Sequence, residues 1–416
     1  MAGMKKEKKK CAGAVLTVLT VGGILAGLTA ADLFTADRLF SAFENRMLAQ
    51  RPEFSVKALF AGTYTEAYET YVTDQFVGRD RWITVKTLTD VALGKKEING
   101  VYLAADGTLI EKHAPEDYDG ETEDKKIMLL KGLAERQEQK GERFSVMLVP
   151  TADQILSDKL PAHATGYDQL AFIEKVSNVI GDDNVINTTN LLNAHKDEYI
   201  YYGTDHHWTT LGAYYGYLAW AEHMNMTNVS YEKETVSEDF YGTLHSKTHV
   251  FVKADRIESY LPSWQKDGGQ VEVYYDGGRT PYSSLYAPEY LSTKNQYGYF
   301  LKDNHALIEI RRNGGNAEEG SRGRTLFVIR DSYASCFLPF LTEHYDTILV
   351  LDPRYYNGSL FTLLDEYEER EGNMDVLVLY NVIHFLEEFR YYDRSALSLL
   401  SAAAAAAPAC APFCLF

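Results

Sequence analysis

The sequence predicts an α/β fold built on a largely parallel central sheet. Two observations carry this. Short apolar runs at Phe144–Val149, Thr325–Ile329, Thr347–Leu351 and Val376–Tyr380 recur with helix-compatible stretches between them. Strands buried on both faces read as continuous apolar runs of this kind, whereas half-solvated strands alternate. Second, several of these runs stop at turn or polar residues, namely Pro150, Asp331-Ser332 and Asn381. That puts polar side chains at the carboxyl edge of the sheet, where open α/β folds place their sites.

Taken in chain order, Lys5, Lys6, Lys8, Lys9 and Lys10 precede an apolar run from Cys11 to Ala31. At about 1.5 Å per residue that run is long enough to cross a bilayer. The lysines are expected to stay cytoplasmic and everything after about Asp32 to lie outside the cell membrane. The length favours a single-pass anchor over a signal peptide, although Thr29-Ala30-Ala31 offers a cleavage site. Residues 1–31 are therefore read as the basic segment plus membrane-anchor helix. Residues 32–95, with Phe40, Phe43, Met47, Leu48, Leu59, Phe60, Tyr64, Tyr68 and Tyr71 at spacings of three and four, read as a membrane-proximal helical segment. A domain over 96–395 follows, opening with a hairpin signalled by Asn99-Gly100 and Asp106-Gly107.

Within this domain the pattern predicts a helix over 127–140, a strand at Phe144–Val149, a helix over 171–180 and a short strand at 185–187. Thr209 is the expected N-cap of a helix running to Glu222. Residues 235–320 differ: runs at 249–253, 270–275 and 306–311 are broken by Gly and Pro, which reads as a β-rich insertion. The α/β rhythm then resumes, with a helix expected over 334–344. The tail, 396–416, is low in complexity.

The 416 residues carry a net charge of -18. This argues against nucleic acid, whose phosphates call for clustered Lys and Arg. Thirty tyrosines suit strand packing or stacking on sugar rings. Of the four cysteines only Cys336 falls in the globular region, where it reads as core, so no disulfide framework or zinc spacing is present there.

Two segments carry chemistry. Ser332 stands where a buried strand gives way to a helix, a place that exposes a side chain and offers free N–H groups. As an alternative, Ser332 is only the helix N-cap, or Asp331 takes that role and frees the serine. Far upstream, an extended Asp205-His206-His207 would send Asp205 and His207 to one side, so that Asp205 orients His207 as base toward Ser332. Trp208 beside them suggests a packed site. Arg330 and Tyr333 flank the serine as candidate pocket residues, and Asn381, or more weakly Asn304, is a candidate oxyanion donor beside the Ser332 N–H. A metal reading would join Asp205, His206 or His207 to His245 and His249, but that later segment does not look helical and no further carboxylate stands at ligand spacing. No cofactor is expected.

The stretch Tyr202-Gly203-Thr204-Asp205-His206-His207-Trp208-Thr209-Thr210-Leu211-Gly212-Ala213-Tyr214 resembles the defining motif of the DHHW protein family. That family is similar to the alginate O-acetyltransferases of the SGNH-hydrolase-like superfamily. Glu44-Asn45-Arg46, Asp74-Gln75-Phe76, Arg79-Asp80, Asn99-Gly100-Val101-Tyr102, Asp331-Ser332-Tyr333-Ala334 and Asp352-Pro353-Arg354 agree with it. The resemblance implies a three-layer SGNH-like fold, with Asp205, His207 and Ser332 as acid, base and nucleophile. It also implies acetyl transfer to an exported polysaccharide or envelope glycan, served by a membrane acyltransferase partner. A carbohydrate acetylesterase with the same residues, or a non-catalytic glycan-binding or assembly protein, are the alternatives.

Overall fold

The structure, a computed structural model, describes residues 2–41, 43–44, 46–314 and 324–389. The low-complexity tail, Cys410, Cys414, Asn45 and the side chains of the basic run at 5–10 and of Cys11 lie outside the described residues. The chain forms two compact units: Met1–Lys95 with Ser246–Phe251, and Lys96–His245 with the residues from Val252 on.

In the first unit a helix spans Ala2–Phe34, three residues past the expected end of the apolar run. Its Val15–Phe34 stretch is long and apolar enough to cross a membrane, with a mean hydropathy of 1.7 and none of it buried in the protein. Helices Val56–Phe60, Thr63–Gln75 and Arg79–Ala92 follow. Phe40 and Met47, expected on a helix, instead pair across a two-residue antiparallel bridge. The charged motifs here are clamps. Arg46 grips the buried Asp74 in a fork, with N–O distances of 2.8 and 2.5 Å. Arg79 pairs with Glu44, and Arg38 with Asp80.

The second unit is a helix–sheet–helix layering. Its six strands are β1 (Phe144–Val149), β2 (Gln270–Tyr275), β3 (Leu307–Asn313), β4 (Thr325–Arg330), β5 (Thr347–Leu351) and β6 (Met374–Asn381). They lie in the order β1-β6-β4-β5-β3-β2. The first four are parallel and the last two join antiparallel at the edge. Successive residues of the parallel strands alternate between two cores. Met147, Val328 and Leu377 point to one, with α3 (Thr210–His223). Val146, Phe327 and Val376 point to the other, with α1 (Gly120–Lys140), α2 (Gln169–Ile180), α4 (Leu360–Glu371) and α5 (Val382–Glu388). Both faces are thus covered, which is why these strands are apolar over most of their length and do not alternate.

The runs expected within 235–320 at 270–275 and 306–311 form β2 and β3, which extend the central sheet, while Glu232–Phe240 pairs with Asp255–Leu261 by itself and 246–251 joins the first unit. Three expectations change. No strand forms at 249–253, where His249 holds a left-handed φ of 54°. Residues 185–187 make one parallel bridge, Val146 to Val185, and not a strand. The helix expected over 334–344 is a 3-10 turn, Ser332–Cys336, followed by Leu338–Leu341. Pro339 has no N–H to continue a helix from the preceding turn, so the chain restarts there with the proline in the first turn.

Candidate active site

The loop before α3 is set by its neighbours. Tyr201 and Trp208 bridge antiparallel, and residues 203–207 bend between them where an extended run was expected. Thr209 caps α3, accepting from the Gly212 N–H. Gly216 lets Trp208 lie against α3; a Cβ there would meet the indole at 2.8 Å. Asp255 fixes the loop from below, accepting from the N–H groups of Gly203 and Thr204 at 2.8 and 2.7 Å and from both the Thr204 and Tyr199 hydroxyls.

In this bend Asp205 Oδ1 accepts from the His207 N–H at 3.0 Å and lies 2.5 Å from His207 Nδ1. Its Oδ2 accepts from the N–H and hydroxyl of Thr243. His207 Nε2 is 2.7 Å from Ser332 Oγ. All three residues are buried, at 4, 5 and 6% exposure, so their mutual contacts carry weight that solvent would otherwise screen. Burial by itself would raise the Asp205 carboxyl; His206 and His207 close by, with the hydrogen bonds from His207 and Thr243, hold it far below the usual range. An ionised Asp205 fixes the proton on His207 Nδ1 and leaves Nε2 to accept from Ser332.

Ser332 follows β4. Asp331 is the N-cap, accepting from the Tyr333 N–H at 2.9 Å, so the serine hydroxyl is free of that task. The Ser332 N–H has no protein acceptor among the described residues. Tyr297 lies flat on the His207 ring, 3.8 Å between centroids at 13°, and its hydroxyl donates to the Ser332 carbonyl at 3.1 Å.

The other anticipated residues are placed differently from one another. Trp208 and Tyr333 are fully buried and lock the site: Trp208 Nε1 donates to the Tyr333 carbonyl at 2.9 Å, and the Tyr333 hydroxyl donates to the His206 carbonyl at 2.6 Å. Arg330 does not line a pocket. It is wholly buried behind the turn, where Nη1 donates to Asn304 Oδ1 and Ser335 Oγ. Asn304 in turn donates from Nδ2 to Asp303 Oδ1 at 3.2 Å. Asn381 faces the cavity, but its Oδ1 caps α5 at the His384 N–H and its Nδ2 donates to Asp331 Oδ2 at 2.9 Å. His206 donates from Nδ1 to the Thr243 hydroxyl at 2.7 Å, since that hydroxyl's own proton goes to Asp205.

A cavity of about 160 Å³ opens beside the histidines, lined by Asp205, His206, His113, Asp153, Asn381 and His384 among others. A larger groove lies at the opposite edge of the sheet, against Phe144 and Arg324, and includes none of these groups. The ligand atoms of Asp205, His206 and His207 come within 4.8 Å of one another. Asp205 and His207 are already committed to the bonds above. His245 lies on a helix, Thr243–Thr248, contrary to the sequence reading.

Sequence reasoning missed Gly242, Thr243, Asp255, Tyr297 and His384. The nearest signal was Tyr241-Gly242-Thr243, a glycine inside the segment read as a β-rich insertion, where a glycine marks close backbone approach.

The fold and site define an α/β protein with an aspartate–histidine–serine chain at the carboxyl edge of a parallel sheet. The protein belongs to the DHHW family, whose model, described as DHHW protein, matches residues 115–351. It is similar in fold to a crystal structure of a DHHW family protein from Eubacterium siraeum, at 24% identity and a TM-score of 0.56, covering 70% of this chain and 93% of that one. It is also similar to Bacillus cereus PatB1, at 19% identity and a TM-score of 0.56, covering 70% and 99%. A second PatB1 structure carries a sulfonyl adduct. No curated protein matches the chain.

Proposed function

We propose that this protein is an extracytoplasmic serine O-acetyltransferase of SGNH-like architecture, acting on hydroxyls of an exported polysaccharide or cell-envelope glycan. The observation that carries the reading is the 2.7 Å contact between His207 Nε2 and Ser332 Oγ with Asp205 behind the imidazole. Ser332 attacks an acetyl carbonyl while His207 takes its proton. The tetrahedral oxyanion receives the Ser332 N–H, and collapse passes the proton from His207 to the leaving group. A sugar hydroxyl then attacks the acetyl-serine, giving its proton to His207, and the ester leaves with Ser332 restored. The apolar N-terminal helix supports a membrane-held protein; in this reading its acetyl donor is a membrane acyltransferase partner.

The test is acetyl transfer by the full chain in detergent, from a chromogenic acetyl ester, with and without an oligosaccharide acceptor. Acetyl on the sugar that disappears in Ser332→Ala supports transfer. Hydrolysis indifferent to the acceptor makes it an esterase, and inert Ser332 leaves a non-catalytic glycan binder.

A further inference from the structure

The site holds a second aspartate–histidine pair that the mechanism above does not use. Asp331, immediately before the nucleophile, is wholly buried. Its Oδ2 accepts from the Asn381 N–H at 3.1 Å and Asn381 Nδ2 at 2.9 Å, and lies 3.0 Å from His384 Nδ1. His384 is on α5, three residues after Asn381, so the cap that starts this helix also delivers the ring to Asp331. The ring borders the cavity, 5.5 Å from His206 between centroids, and its Nε2 has no protein hydrogen-bond partner among the described residues.

A buried carboxylate beside the serine is an electrostatic liability, because acylation builds negative charge on the carbonyl oxygen next to it. Hydrogen bonds hold Asp331 in place, and offsetting its charge takes cations: the guanidiniums of Arg330 and Arg354 act on it through space, and His384 is the group in direct contact with its carboxylate. We propose, resting on the acyl-transfer reading, that His384 is a positioning residue: as an imidazolium it holds Asp331 and the turn that carries Ser332, and it offsets the Asp331 charge during acylation. The neighbourhood agrees. Burial would lower the His384 pKa, but its bond to Asp331 and the nearby Glu388 raise it against Arg354. Burial would likewise raise Asp331, and the His384 contact keeps it low.

The experiment compares Ser332 labelling by a sulfonyl fluoride, and kcat and KM for a chromogenic acetyl ester, in wild type, His384→Gln and His384→Lys. We expect His384→Gln to lower kcat and labelling roughly tenfold to hundredfold with KM little changed. His384→Lys, which keeps the cation, should recover most of that loss. A structural role alone would not distinguish glutamine from lysine, and equal rates in the two variants overturn the proposal. Nitrogen NMR of the His384 ring decides independently if the glutamine variant fails to fold: more than half protonated at pH 6.5 is expected, and a neutral ring overturns it. Absence of any labelling in wild type would instead strike the acyl-transfer reading itself.

Discussion

Trp208 and Tyr333 are tied through the indole N–H, which donates to the Tyr333 carbonyl at 2.9 Å, while the Tyr333 hydroxyl reaches back to the carbonyl of His206 at 2.6 Å. These two bonds join the loop that carries the acid and imidazole to the turn that carries the serine. Trp208→Phe keeps the ring stacking on Phe337 but leaves a buried carbonyl without its donor. We expect a loss of about 1–3 kcal/mol in denaturant unfolding and a fall in kcat. Unchanged stability would mean the second bond suffices alone.

Asp205→Asn preserves shape but no longer fixes the proton on His207 Nδ1. Acetyl transfer should fall roughly 10³- to 10⁴-fold with the folded structure intact, as judged by circular dichroism. A loss below tenfold would remove Asp205 from the proposed mechanism.

A Cβ built on Gly242 falls inside the van der Waals envelope of the Asp205 carboxylate. Gly242→Ala should therefore push Asp205 off His207, lowering kcat on the order of 10²-fold while substrate KM changes little. Wild-type kinetics in this variant would contradict the close approach.

Asp255 holds the loop through four hydrogen bonds, from Gly203, Thr204 and Tyr199. Its replacement by alanine leaves the buried Thr204 N–H and the half-buried Gly203 N–H unpaired. Destabilisation of about 3 kcal/mol is expected, read from the urea midpoint, together with slower transfer.

His206 gives a pH signature. Burial first, and then the neighbouring His207, push its pKa down to about 3, below the ordinary value near 6.5. The folded state thus prefers the neutral ring. Its contribution to stability is complete above about pH 6.5 and is lost as the pH falls from there toward 3, by at most about 1.4 kcal/mol per pH unit. Thermal unfolding followed from pH 7 to 4 should fall less steeply in His206→Asn than in wild type. Parallel curves would reject this.

The sheet was legible from the sequence because β1, β4, β5 and β6 are buried on both faces and carry near-continuous apolar runs. The cap at Thr209 was legible because a Thr before a helical run has one strong local use. The strands of the antiparallel edge were legible at 270–275 and 306–311, but their place in the central sheet was not. β2 and β3 alternate like strands of any half-exposed sheet, and nothing local in Gln270–Tyr275 names its partner. Asp205, His207 and Ser332 stood out by residue type and setting, whereas Arg330, Tyr333 and Trp208 have side chains turned into the interior, a direction that depends on tertiary packing. His384 and Asp255 gave no signal, since each acts through a partner 53 or about 50 positions away.

His207 and Ser332 meet across a separation of 125 residues, and the strand before the serine is central in the sheet, flanked by β6 and β5, both later in the chain. Contacts of such long range form late, after the loops between them have closed. A chain emerging unfolded on the far side of a membrane would thus carry an ordinary, unreactive serine. Reactivity at Ser332 would then switch on only when the sheet is assembled, which makes labelling of that one hydroxyl a clock for maturation of the whole domain.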